Sequence, residues 1–109
     1  IFSSNYKALS ESHLIDYAII KPSLYGGLNS IFKLVNFFKR HDIKIIFSSA
    51  LNTKIGNLSN IHLASALKLN NCHGLNEHAF FRLGQMPYGP NDSTIKVDKL
   101  EGLGVCENE

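Results

Sequence analysis

The chain has 109 residues, of which 44% are hydrophobic and 18% charged, a composition that suits a domain with a core and not a disordered segment. Its net charge of +2 is small, and its Lys and Arg residues are scattered, so we expect no nucleic-acid partner. No apolar stretch is long enough to cross a bilayer, and the first residues lack a signal-peptide pattern, so we expect no membrane partner.

The two cysteines, Cys72 and Cys106, lie in different segments and lack the spacing of metal ligands. We expect two free thiols in a reducing compartment, and the sequence alone leaves a disulfide open. The chain begins without Met and in the middle of a pattern. The prediction is therefore a cytoplasmic globular piece of a larger protein.

The first elements are a helix and a strand. Residues 5–14 carry apolar side chains near helical spacing and predict a short helix. The apolar run over residues 17–20 predicts a strand buried on both faces, as parallel strands are. Pro22 has no backbone N–H and favours an extended Lys21, so the strand should end there.

The strongest helix signal covers residues 28–38, after a flexible turn at Gly26 and Gly27. We expect this helix to pack on the sheet through apolar residues at helical spacing: Leu28, Ile31, Phe32, Val35 and Phe38. Lys33 and Asn36 lie on the opposite side and should face solvent. This amphipathic pattern indicates a helix that covers one face of a sheet.

The remaining chain continues the alternation. Residues 43–47 predict a second buried strand, residues 52–57 a polar loop, and residues 58–69 a second sheet-packing helix. Residues 72–75 predict a short third strand, and residues 94–97 an edge strand in a tail rich in turn formers. Strands and helices in alternation with short links indicate an α/β fold with a parallel sheet.

This pattern is better explained as part of a barrel than as a complete fold. Three strands cannot close a barrel, and two helices leave one face of the sheet bare. We therefore predict that residues 1–83 form an arc of a (β/α) barrel. Residues 84–109 should form an irregular tail that packs on the barrel or on another domain.

The ends of the predicted strands carry the candidate functional residues, because the active sites of such barrels lie there. Lys21 is the strongest candidate, since an ammonium group at this position suits proton transfer or stabilisation of a developing anion. The alternative is a lysine whose charge only extends into solvent. Ser48, Ser49 and the helix that opens near Gly56 suit a substrate carboxylate, unless they serve only as ordinary caps.

The sequence offers no metal site of its own. The five histidines show neither close pairing nor neighbouring carboxylates, and only His73 lies at a predicted strand end. The glycines do not form a dinucleotide fingerprint, and no serine lies in a nucleophile elbow.

Three segments of the chain resemble the o-succinylbenzoate synthase family of the enolase superfamily, in consecutive order. They are Ile20-Lys21-Pro22-Ser23-Leu24-Tyr25-Gly26-Gly27, then Ser48-Ser49-Ala50-Leu51-Asn52-Thr53-Lys54-Ile55-Gly56, then His73-Gly74-Leu75-Asn76. The resemblance covers roughly residues 15–80. It implies the C-terminal portion of a (β/α)7β TIM-like barrel, with parallel strands alternating with helices.

The resemblance also implies an activity. Members of the family are magnesium-dependent lyases that dehydrate a succinyl-hydroxycyclohexadiene carboxylate to o-succinylbenzoate, a step towards menaquinone or phylloquinone. Their substrate becomes an enediolate, which a lysine and Mg²⁺ stabilise. Lys21 matches the lysine usually given that stabilising role. Ser23, Ser48, Ser49 and Gly56 match the substrate-binding side.

The chain also departs from the family pattern. The first catalytic lysine and the three carboxylate ligands of Mg²⁺ belong to earlier strands, so we expect them upstream and predict no metal ligand here. Asn52 stands where many members have Glu. The expected partners are a small-molecule carboxylate and the remainder of the same enzyme, without which this chain should be inactive.

Two alternatives remain open. One is a racemase or epimerase of the same superfamily that acts on N-acylated amino acids or dipeptides. The other is a non-catalytic barrel piece that only self-associates to cover its open sheet edges.

Overall fold

The computed structural model describes residues 6–75 and 93–105. The elements in chain order are α1 (Tyr6–Glu11), β1 (Tyr17–Ile20), a 3₁₀ turn (Pro22–Leu24), α2 (Leu28–Arg40), β2 (Lys44–Phe47) and α3 (Lys54–Ala66). This part of the chain is a small α/β domain, as the alternation of apolar runs predicts. None of its helices combines the length and apolar character needed to span a membrane.

The sheet is parallel. β1 and β2 pair side by side with Tyr17 opposite Lys44, which confirms that the two apolar runs form adjacent parallel strands. The third segment contributes a single parallel bridge, between Ser48 and Gly74, and not the predicted strand over residues 72–75. The bridge consists of two hydrogen bonds, from the amide of Gly74 to the carbonyl of Phe47 and from the amide of Ser49 to the carbonyl of Gly74. The amide of Phe47 itself donates to the imidazole of His73 and not to a backbone carbonyl of the segment.

The helices cover one face of this sheet. The core combines alternate strand residues with one side of α2 and of α3: Ala18, Ile20, Ile31, Leu34, Val35, Phe38, Ile43, Ile45, Phe47, Leu58, Ile61, Ala64 and Leu75. α2 packs through a stripe at spacing i, i+3, i+4, i+7, which includes Leu34 and leaves Leu28 and Phe32 exposed. The predicted face was therefore wrong at those two positions: Phe32 lies one residue off the stripe and Leu28 is the first residue of the helix.

The opposite face of the sheet is bare. Tyr17 is 51% exposed and Ile19 57%, so the prediction of burial on both faces is wrong for β1. On β2, Ile46 is half-buried and Lys44 is exposed, with its Nζ 5.5 Å from the ring centroid of Tyr17. The core residues of both strands point to the other side, and we call the face formed by these four side chains the bare face.

The tail forms neither helix nor strand over residues 93–105, so the predicted edge strand over residues 94–97 does not form. Ile95, Val97 and Leu103 nevertheless pack against the hydrophobic core. The segment is thus held by apolar contacts and not by a sheet ladder.

The boundaries of the first and last helices differ from the predicted ones. α1 ends at Glu11, before the predicted end at residue 14. α3 begins at Lys54 and not at residue 58, because the hydroxyl of Thr53 accepts a hydrogen bond from the amide of Gly56 and caps the helix.

α2 and α3 end in the same way. In each, the residue after the C-cap has a left-handed backbone, with φ of 57° at Asp42 and 52° at Lys68. The next amide returns to the helix, so that Ile43 donates to the carbonyl of Phe38 at 3.0 Å. This is a Schellman motif, which favours glycine at the left-handed position.

An aromatic cluster holds α1 against α2. The ring of Tyr6 meets that of Phe37 edge-on, with centroids 5.3 Å apart, and lies 6.0 Å from that of Phe38. Tyr25 lines the same concavity as Tyr6 and Phe37. Burial raises the pKa of the Tyr25 phenol above its ordinary value of 10.0, and the charge and hydrogen bond of Tyr6 add to the rise.

Asp42→Gly should raise the free energy of unfolding, because glycine adopts a positive φ without strain. We expect the free energy of unfolding of Asp42→Gly to exceed that of Asp42→Ala by about 1 kcal/mol. Both substitutions remove the charge, but only glycine relieves the strain of the left-handed backbone. Urea unfolding of the two variants measures the difference. Equal stability of the two would contradict a cost of the left-handed backbone.

The Tyr25 phenol should make stability fall at high pH. Its folded pKa lies above the unfolded value, so the folded state holds the proton more tightly. The stability that this confers is therefore lost as pH rises through about 10 towards the folded pKa. Urea midpoints measured from pH 8 to 11 should decline more steeply for the natural chain than for Tyr25→Phe. Parallel declines would contradict the prediction.

Candidate functional site

Lys21 joins the ends of the two strands. It directly follows β1, where Pro22 keeps its backbone extended, with φ −104° and ψ 94°. Its Nζ donates a hydrogen bond to the backbone oxygen of Ser49 at 2.5 Å and to Oγ of Ser48 at 3.3 Å. The lysine is thus fixed beside the end of β2, although its side chain remains exposed.

A second link joins the loops that follow the two strands. Oγ of Ser23, in the 3₁₀ turn after β1, donates to Oδ1 of Asn52, in the loop after β2, at 2.9 Å. The Nδ2 atom of Asn52 is buried and has no hydrogen-bond partner in the structure. We call Lys21, Ser23, Ser48, Ser49 and Asn52 the strand-end cluster.

Asn57 connects this cluster to the third segment. Its side chain is 1% exposed, its Oδ1 accepts from Oγ of Ser49 at 2.9 Å, and its Nδ2 donates to the carbonyl of Leu75 at 2.8 Å. A buried amide that is bonded on both sides fixes the position of each partner. Asn57 therefore sets the distance between the cluster, α3 and the segment at Gly74.

Gly56 lies in the first turn of α3, beside Asn52 of the strand-end cluster. Its amide donates to the hydroxyl of Thr53 at 3.3 Å, so that N–H group is already bonded within the helix end. A Cβ at this position would lie 3.4 Å from the Cβ of Asn52. A side chain there would thus contact Asn52 closely, and the role of Gly56 in substrate binding stays a prediction.

His73 is a structural residue. Its Nδ1 accepts a hydrogen bond from the amide of Phe47 at 3.0 Å, and its Nε2 lies 3.0 Å from the carbonyl of Leu69. The two contacts together require the tautomer with the proton on Nε2. The imidazole thus takes the place of a strand carbonyl beside β2, and neither ring nitrogen remains for a metal ion.

The described residues contain no group of three or more His, Cys, Asp or Glu side chains that could hold a metal ion. Cys72 is an exposed free thiol. Cys106 and the motif residue Asn76 lie outside the part of the chain that the structure describes.

The electrostatic character of the strand-end cluster follows from this inventory. Lys21 carries its only formal charge and makes no contact with a carboxylate among residues 6–75 and 93–105. The ammonium group has three N–H donors, of which the two contacts described above use two. The cluster can therefore bind an anion through the third donor, in an orientation fixed by Ser48 and Ser49.

The sequence predicted Lys21, Ser23, Ser48 and Ser49 as site residues, and these four lie together in the structure. It did not find the roles of Asn57 and His73. The one signal for Asn57 was its place in the predicted loop just before an apolar helix face, where a buried amide is uncommon.

Asn57→Ala should destabilise the chain by about 1–3 kcal/mol, because the hydroxyl of Ser49 and the carbonyl of Leu75 each lose a buried partner. Asn57→Asp should also destabilise it, since the carboxylate keeps the acceptor but loses the donor. Asn70→Ala, at an exposed asparagine, is the matched control and should be neutral. Denaturant midpoints that are the same for all three variants would contradict this role.

Comparison of the chain with protein-family models, with curated proteins and with solved structures finds no match in any of the three.

Proposed function

We propose that this chain supplies the anion-stabilising side of an o-succinylbenzoate synthase active site, with Lys21 as its catalytic residue. The observation that carries the proposal is the fixed position of Lys21, held by Ser49 and Ser48 at the common end of two parallel strands. Functional groups of (β/α) barrels lie at that end. The three sequence segments that resemble the family converge on the same cluster.

The chemistry of Lys21 suits a stabiliser better than a base. Its Nζ donates to a backbone carbonyl and to a serine hydroxyl, so the group is held as a hydrogen-bond donor. In the proposed reaction, removal of a proton beside the substrate carboxylate leaves two negative oxygens on an enediolate. A cation that is already oriented before the reaction stabilises this charge without further reorganisation. Ser23, Ser48 and Ser49 would orient the carboxylate.

The bare face supports the place of the chain in a barrel. Successive side chains of a strand alternate between faces, so Lys21 follows Tyr17 and Ile19 on the bare face, while Ala18 and Ile20 face the helices. A barrel strand divides in the same way between the helix layer and the interior. The remainder of the enzyme would then cover the bare face and complete the interior.

The described residues do not fit the Mg²⁺ that the reaction requires. Magnesium takes oxygen ligands, mostly carboxylates, and no cluster of them lies beside Lys21 in the described chain. We therefore place the ligands and the second catalytic lysine elsewhere in the complete enzyme, and expect this chain alone to be inactive.

Two other functions share parts of this account. A racemase or epimerase that acts on N-acylated amino acids also forms an enediolate, and the same cluster would stabilise it. A non-catalytic piece that self-associates is favoured by one observation, the exposure of Tyr17 and Ile19 on the bare face. The product formed and the need for Lys21 separate these functions.

Lys21→Ala should lower turnover of the cyclohexadiene substrate by about 10²–10³ in the enzyme that contains this chain, because one oriented electrostatic group is worth that much. Turnover is followed by loss of substrate absorbance. Lys7→Ala is the matched control, since Lys7 is exposed on α1 and belongs to neither the strand-end cluster nor the bare face, and it should leave turnover unchanged.

The outcomes separate the candidates. Near-normal turnover of Lys21→Ala would remove this lysine from the mechanism. Racemisation of an N-acylated amino acid without dehydration would favour the racemase. Magnesium-dependent dehydration by the 109-residue chain alone would show that the metal ligands lie within it.

A further inference from the structure

A groove between α1 and α2 lies outside the strand-end cluster. Its volume is about 670 Å³, which is within the usual range for small-molecule sites. Tyr6 and Tyr25 form one wall, and Phe37 and Leu34 contribute apolar surface. None of its lining residues belongs to the cluster around Lys21.

The other wall of the groove is cationic. Lys33 and Arg40 are seven residues apart on α2, and both line the groove with Phe37 between them. Neither makes an ion pair, side-chain hydrogen bond or ring contact with another residue of the ranges 6–75 and 93–105. No acidic side chain is among the described lining residues, so this lining presents two positive charges beside aromatic rings.

Neutral donors add to this wall. Ser30 and Asn36 line the groove on the same helix, and neither side chain makes a hydrogen bond within the part of the chain that the structure describes. Tyr6 and Tyr25 line the same groove, so that aromatic surface lies beside these donors. The groove thus brings two cations, an amide and a hydroxyl around one aromatic concavity.

We propose that this groove binds a small organic anion that consists of an aromatic ring and a phosphate or carboxylate group. The ring would pack on Phe37 and the tyrosine pair, and the anionic group would receive hydrogen bonds from Lys33 and Arg40. An uncharged aromatic compound would lack the contacts with the two cations, and an inorganic anion would lack the contacts with the rings. Both parts of the ligand are therefore needed for affinity.

The test uses phenyl phosphate as the probe, with inorganic phosphate and phenol as the two control compounds. Binding to the full chain is followed by NMR through the aromatic signals of Tyr6, Tyr25 and Phe37. Phenyl phosphate should bind saturably, with a dissociation constant of about 1 mM or lower. It should bind at least about tenfold more tightly than inorganic phosphate or phenol.

Variants locate the site. Lys33→Ala with Arg40→Ala should weaken phenyl phosphate at least about tenfold, because each charge-assisted hydrogen bond contributes that much or more. Lys7→Ala with Lys44→Ala removes the same charge outside the groove and should leave binding unchanged. Equal affinity for phosphate and phenyl phosphate, equal weakening by the two double variants, or no saturable binding would each overturn the proposal.

Discussion

The parallel register of β1 and β2 is the constraint on which the rest of the structure depends. Because Tyr17 pairs with Lys44, both strands end at the same edge of the sheet, and the amide of Ser48 reaches the carbonyl of Ile20 at 2.9 Å. An antiparallel pair would separate the two loops by the length of a strand. The register therefore brings Lys21 to the loop after β2, within hydrogen-bonding distance of two of its oxygens.

The two sides of the sheet make different demands on the chain. The side of the sheet that faces the helices is an apolar core. The bare face presents Tyr17, Ile19 and Ile46, with Lys44 at the start of β2 and Lys21 after the end of β1. Like charges on this face disfavour its pairing with an identical copy, while a surface that carries carboxylates would complement it. This charge pattern supports the proposal that another part of the same enzyme covers the face, in preference to self-association.

The sequence predicted the elements better than their surroundings. The strand at residues 17–20 and the start of α2 at Leu28 were predicted correctly, because Pro22 and the glycine pair after it bound the apolar runs. Burial on both faces of β1 was wrong, since an apolar run does not show which neighbours lie on either side. Asn57 and His73 were missed as structural residues for a related reason. Their bonds to Leu75 and Phe47 join segments that only the fold brings together.

We propose that Lys21 receives a carboxylate, and NMR of the lysine side chains tests this proposal directly. The Cε–Hε signals are recorded while o-succinylbenzoate is added to the full chain. We expect the Lys21 signal and the amide signals of Ser48 and Ser49 to shift saturably, and the Lys44 signal not to shift. An unmoved Lys21 signal, or shifts of equal size and concentration dependence at both lysines, would contradict it.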